Sequence, residues 1–165
     1  NNLTNNNGSI FANDVPFPVA PPPPPFEIRK STDESVTSSA VLQNDDQLVV
    51  SVEAGKTYIV EGAIFASSPS ATPDIRIAFD TPPGSEMSIG HISAAGPAID
   101  GGLLETSGAS SVRIQLPANT PVPIMIKGTV VAGATGVLQL NWTQWGSNVN
   151  AVTVKKGSYL RVEEI

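Results

Sequence analysis

The side chains able to do bond-making chemistry are few. His91 is the single histidine and there is no cysteine, so neither a second imidazole nor a thiolate is at hand to complete a triad or a soft-metal site. His91 lies in "EMSIGHIS", an alternating segment, and reads as a satisfied or surface strand histidine. Asp45 and Asp46 in "LQNDDQL" offer oxygens for a hard cation but lack the spaced acidic loop of a calcium site, and read as a polar turn. Glu53, Glu61, Asp74, Asp80, Glu86 and Glu105 could supply the paired carboxylates of a glycoside hydrolase, but nothing in their spacing selects a pair. No catalytic residue, cofactor-binding residue or metal ligand is therefore expected. Trp142, Trp145, Tyr58 and Tyr159 leave two readings open: a platform on which a sugar ring stacks, or rings that fill a core or a subunit contact. Of two sequons, Asn2-Leu3-Thr4 and Asn141-Trp142-Thr143, the second falls inside an expected strand, where a glycan has no room.

The elements that must position these residues alternate with period two. "QLVVSVEAGKTYIVEGAIFA" places Leu48, Val50 and Val52 on one face, turns at Glu53 to Lys56, and resumes with Tyr58, Val60, Gly62 and Ile64, the pattern of a hairpin. "DIRIAFDTPPGS" points Ile75, Ile77 and Phe79 inward and Asp74, Arg76 and Asp80 outward. "VPIMIKGTVVAGATGVLQLNW" reads as two strands around a turn at Ala132 to Gly136. Ile124, Ile126 and Val130 face inward there, which leaves Met125 and Val131 as candidate subunit-contact residues. "AVTVKKGSYLRVEEI" reads as a closing hairpin about Lys155-Lys156-Gly157, and the glycines and serines of residues 94 to 110 read as a long loop. Apolar residues never recur at three- and four-residue spacing for long enough to form an amphipathic helix. The fold class expected is all-β, an antiparallel β-sandwich of jelly-roll-like type spanning residues 36 to 165.

Residues 1 to 35 are of another kind. Five of the first seven residues are Asn, Asp14 is the one charge before Glu27, and Pro21 to Pro25 form an unbroken run. Such a segment cannot build a core, and the prolines favour a polyproline II spacer rising about 3 Å per residue. Ile10, Phe11, Val15, Phe17 and Val19 are its candidate anchoring residues. The reading is of an extended Asn/Pro-rich arm that docks on a partner. With 9 basic against 15 acidic residues and a net charge of −6, nucleic acid is not an expected partner. No apolar run is long enough for a membrane-spanning helix.

Two stretches carry a resemblance. "VLQNDDQLVVSVEAGKTYIVEGAIFASSPSATPDIRIAFDTPPGS" and "GVLQLNWTQWGSNVNAVTVKKGSYLRVEEI" resemble a β-domain that recurs on virion surface proteins of tailed bacteriophages, in head fibres, capsid decoration proteins and tail fibres. The most specific piece is the ending, a tryptophan strand, a polar turn and "TVKKGSYLRV". Family members often have Ala where Lys156 stands and Trp where Tyr159 stands. The resemblance implies a non-enzymatic structural protein on the virion surface, a decoration (cement) or head-fibre protein, assembled as a homotrimer on the major capsid protein or another virion protein. A tail-fibre or host-attachment domain is the alternative within that class. A carbohydrate-binding β-sandwich, with a host surface glycan as partner, is the alternative outside it. No catalytic residue or cofactor is implied by the resemblance.

Overall fold

Alternation from Phe26 onward yields twelve strands in the computed structural model, which describes residues 25–95, 98–105, 107–108 and 110–165. They are β1 (Phe26–Arg29), β2 (Glu34–Val36), β3 (Gln43–Val52), β4 (Thr57–Ser67), β5 (Ile75–Asp80), β6 (Glu86–Ala95), β7 (Ala98–Leu104), β8 (Val112–Ile114), β9 (Val122–Val131), β10 (Gly136–Gln144), β11 (Val152–Val154) and β12 (Tyr159–Glu164). No helix among the described residues is long and apolar enough to cross a membrane. The candidate anchoring residues of the arm, Ile10, Phe11, Val15, Phe17 and Val19, lie outside the described residues.

Pairing is nested. The first strand pairs the last, β2 pairs β11, β3 pairs β10, β4 pairs β9, β5 pairs β8 and β6 pairs β7, all antiparallel. The chain therefore behaves as one long hairpin bent back at the β6–β7 connection. Lateral pairings then roll that hairpin into two antiparallel sheets. One runs β1-β12-β4-β9-β6-β7, with β11 also pairing β4 and β2 pairing β11, and the other runs β3-β10-β5-β8. Their inner faces supply a single core, in which Leu48, Ile64, Ile75, Ile77, Phe79, Ile89, Ile124, Leu138 and Trp142 are fully buried. This is the expected all-β antiparallel sandwich.

Four local expectations are corrected. The turn at Glu53 to Lys56 does not make a hairpin, because β3 belongs to one sheet and β4 to the other. It abuts the Ala132 to Gly136 turn, another crossing between sheets, through Gly55 N donating to Ala132 O (2.7 Å) and Ala132 N to Lys56 O (2.9 Å). Inward residues of facing sheets and of paired strands alternate identically, so periodicity cannot distinguish a crossing from a hairpin. The closing hairpin is also replaced. β11 and β12 do not pair; both run antiparallel to β4, at Ala66–Ser67 and at Tyr58–Ala63, as one strand interrupted by a turn. Gly157 makes that turn at φ 89°, where glycine alone is unstrained. Residues 98 to 104 of the expected long loop form the edge strand β7. Finally, strand structure begins at Phe26, so the sequence boundary at residue 36 falls at the end of β2 and not before the sheet.

β12 is consequently an interior strand, between β1 and β4. Leu160 and Val162 are buried there, while Ile165 is exposed and takes part only through its amide, which donates to Thr57 O (3.0 Å). Removing residues 158–165 strips two core aliphatics, about 1.5–3 kcal/mol each, and unpairs the flanks of β1 and β4. The loss is comparable with a whole domain stability of about 5–15 kcal/mol. The truncated chain is expected to lose its β-type circular dichroism spectrum and its cooperative melt; a melt like that of the full chain would remove β12 from the core.

Candidate binding surfaces

Two interrupted strands are locked together at one end of the larger sheet. The break between β1 and β2 lies against the break between β11 and β12. Lys30 N donates to Ser158 O and Gly157 N to Lys30 O, each at 2.8 Å. At this break Lys30 turns inward and is buried, with Nζ 2.7 Å from both Asp45 Oδ2 and Glu34 Oε2. Asp45 is fully buried within β3, not in the polar turn expected from sequence. Its Oδ1 accepts the amides of Gln47 (3.0 Å) and Leu48 (2.8 Å), and Oδ2 also accepts Trp142 Nε1–H (3.1 Å). Glu34 in turn accepts Gln43 Nε2 at 2.9 Å. Asp45 thus faces donors from the β1–β2 break, from β3 and from β10, an arrangement that holds a buried charge without leaving lone pairs unmet.

Replacing Lys30 by Met should cost about 3–5 kcal/mol in urea unfolding, since it leaves Asp45 and Glu34 without their cation. K30M combined with D45N should lose less than the sum of the two single changes, and strict additivity would mean that the charges do not interact. At the same junction, outside the core, the Asp33 carboxylate accepts Lys155 Nζ and Lys156 N. The hydrogen bond from Lys155, then that from the Lys156 amide, holds Asp33 below the ordinary aspartate value of 3.8. A depressed carboxylate stabilises the fold above its unfolded pKa and loses that contribution as pH falls through the folded one. Asp33→Asn should therefore lower the melting temperature at neutral pH, with the difference from wild type shrinking as pH falls below 3.8 and gone once the native carboxylate is itself protonated.

The remaining sequence candidates separate by face. His91 is buried on the inner side of β6, its Nδ1 3.1 Å from Gly102 O. Asn141 is buried, its amide donating to Asn44 Oδ1 (2.7 Å) and Asp80 Oδ2 (2.9 Å), so this sequon is engaged in the fold. Trp142 and Tyr58 belong to the core. The Tyr58 hydroxyl accepts Glu53 N (2.9 Å) at the sheet crossing. Among the carboxylates, Glu86 and Glu105 line one shallow depression with Thr81 and Ser107, whereas Glu61 and Asp74 belong to opposite sheets. No group of three or more potential metal ligands occurs among the described residues.

The outer face of the larger sheet carries the first surface. Cross-strand register places Tyr159, Ala63, Met125 and Ile92 in one row over β12, β4, β9 and β6. Arg161, Glu61, Lys127 and Gly90 form the next row. The two rows border a concavity of about 440 Å³. Lys127 Nζ is 2.7 Å from Glu61, and that pairing holds the Glu61 carboxyl below its usual range. Met125, 49% exposed, is thus the middle of an apolar row. Val131, 37% exposed, is at the far end of β9 opposite Thr57 and Glu86. The two candidate contact residues share a face but not a patch.

The second surface is on the smaller sheet. Arg76 of β5 and Arg113 of β8 are direct cross-strand partners. Asp74 sets the end of this ladder: its carbonyl accepts Trp145 N at 2.9 Å, and its Oδ1 accepts Leu116 N at 3.3 Å. Its Oδ2 is 2.6 Å from both Arg113 Nε and Arg113 Nη2. Arg76 Nε donates to Ser111 Oγ at 2.9 Å. Both guanidinium carbons lie over the Trp145 ring, at 6.0 Å for Arg76 and 5.6 Å for Arg113, and the ring is 46% exposed. Sequence reasoning named Trp145 and Asp74 as candidates and placed Arg76 outward, but gave Arg76 no role and did not single out Arg113. Each arginine lies in a separate segment, and only the β5–β8 register brings them together.

No family model matches this chain, and no curated protein matches it. Among solved structures, a chain of infectious bursal disease virus, Gx strain, matches at 12% identity with a TM-score of 0.21. The match takes in 87% of this chain and 41% of that one, so this chain spans about two fifths of its length. A similarity of that size carries no argument about fold or function.

Proposed function

We propose that this chain is a non-enzymatic structural protein of a virion surface, with residues 26–165 as a rigid β-domain and the Asn/Pro-rich arm as its attachment to the major capsid protein or another virion protein. The observation that carries the reading is the nested pairing of strands, first with last through sixth with seventh. Nested pairing of this kind, bent double over two sheets, supports a jelly-roll reading of the sandwich, an architecture recurrent in capsid and lectin domains. The phage-type resemblance of the β-domain agrees with it in assigning a decoration or head-fibre role. Nested pairing also fixes where the arm departs. Phe26 pairs Val162 at the outer edge of the larger sheet, so a partner gripping the arm pulls on a strand already hydrogen-bonded to the C-terminus. Assembly as a homotrimer belongs to the same proposal, with the row around Met125 as its contact.

Deleting residues 1–24 should leave the melting temperature of the β-domain nearly unchanged and abolish its co-sedimentation with particles. Full occupancy by the shortened chain would overturn the anchoring role. A tail-fibre or host-attachment role is distinguished by where the chain lies in a particle reconstruction.

A further inference from the structure

We propose that Trp145, Arg76 and Arg113 form a binding site for a saccharide ring bearing a carboxylate, a hexuronate or a related acidic sugar. This inference does not rest on the virion reading, and a chain that fails to attach to particles could still bind the sugar.

The argument begins with an imbalance of charge. Two arginines directly opposite one another on neighbouring strands repel, and such a pair is disfavoured unless something compensates. Asp74 compensates one of them: it forms a charge-assisted contact with Arg113. Arg76 has the neutral Ser111 hydroxyl instead, and no carboxylate pairs with its guanidinium among the described residues. The site therefore carries one uncompensated positive charge on a protein whose net charge is −6. That net charge disfavours a polyanion such as nucleic acid, which gains its affinity from many phosphates at once. A ligand with a single negative charge is repelled far less.

Trp145 supplies the second half of recognition. Nearly half of its surface is open, and the two guanidinium carbons are at the outer limit of cation–π range, beyond stacking distance. The exposed part of the indole is left for another apolar surface, which the C–H face of a pyranose provides. A neutral sugar is a poorer fit. Hydroxyl recognition needs free acceptors as well as donors, and here the Asp74 carboxylate is engaged by Arg113 and by Leu116 N. What the site still offers is the donor fork of Arg76, whose planar geometry matches a carboxylate. Ring plus carboxylate satisfies both halves, and a free inorganic anion satisfies only one.

The test uses the full chain, labelled with nitrogen-15 and titrated with D-glucuronate, D-glucose or acetate while the two indole N–H resonances are followed. Trp142 donates its indole proton to Asp45 inside the core, so its resonance reports on the fold and that of Trp145 on the site. Glucuronate is expected to shift the Trp145 resonance saturably and leave that of Trp142 in place, with glucose and acetate each at least about tenfold weaker. Arg76→Gln and Trp145→Ala should each weaken glucuronate binding about tenfold or more, with the Trp142 resonance unmoved. Lys156→Ala, at an exposed lysine of the turn between β11 and β12 on the other sheet, should leave it unchanged. Should Arg76→Gln not fold, added sodium chloride serves in its place, because it must weaken glucuronate binding by wild type if a guanidinium holds the carboxylate. Equal response to acetate would reduce the site to an adventitious ion site, equal response to glucose would remove the role of the charge, and no response to glucuronate would end the proposal.

Discussion

A buried ammonium at a break in two strands holds this fold in its particular register. Lys30 reaches the core because β1–β2 and β11–β12 are interrupted opposite one another, and once inside it must meet Asp45 and Glu34. Burying these charges is unfavourable unless every polar atom finds a partner. The partners are both local and distant: the Gln47 and Leu48 amides beside Asp45, the Gln43 side-chain amide on Glu34, and the Trp142 indole from β10. A slip of one residue in β3 would turn Asp45 to the outside and leave Lys30 with Glu34 alone, and a slip in β10 would take the Trp142 indole from Asp45. The network therefore specifies register more than it adds stability, in the manner of a polar group buried within an otherwise apolar interface.

That register is transmitted outward. β10 carries Trp142 inward, pairs with β5, and ends at Gln144, so that Trp145 follows the strand with its ring turned to solvent. The β5–β8 ladder then sets Arg76 opposite Arg113 beneath it. On the other sheet, pairing of β12, β4, β9 and β6 aligns Tyr159, Ala63, Met125 and Ile92 into a row. The two surfaces differ in kind. One is apolar and flanked by paired charges, suited to covering by another protein; the other has an excess of cation beside an open ring, suited to a small acidic ligand.

Pairing of the first and last described strands ties the two ends of the β-domain together. Here the first described strand is held by the last, and the last by β4 in the middle of the sheet. Without cysteine, no disulfide can serve this purpose. Backbone hydrogen bonds and a closed core do so instead.

Read alone, the sequence determined the all-β class, most of the strands, though not β1, β2 or β7, and the direction of most side chains. Leu48, Val50, Val52, Ile75, Ile77, Phe79, Ile124, Ile126 and Val130 point inward as their alternation requires, and Met125 and Val131 point out. Alternation is a local property, imposed by the pleat of each strand whatever its partner. It could not tell that the Glu53 to Lys56 turn crosses between sheets, or that β11 and β12 run on beside β4 instead of folding against each other. Nor could it place Asp45 in the core, since an Asn-Asp-Asp run reads as a turn until a lysine fifteen residues earlier is seen to enter beside it. The same holds for Arg76 and Arg113. Their meeting under Trp145 depends on lateral pairing of segments far apart in the chain, and pairing is decided by how the whole hairpin rolls, which only the tertiary structure contains.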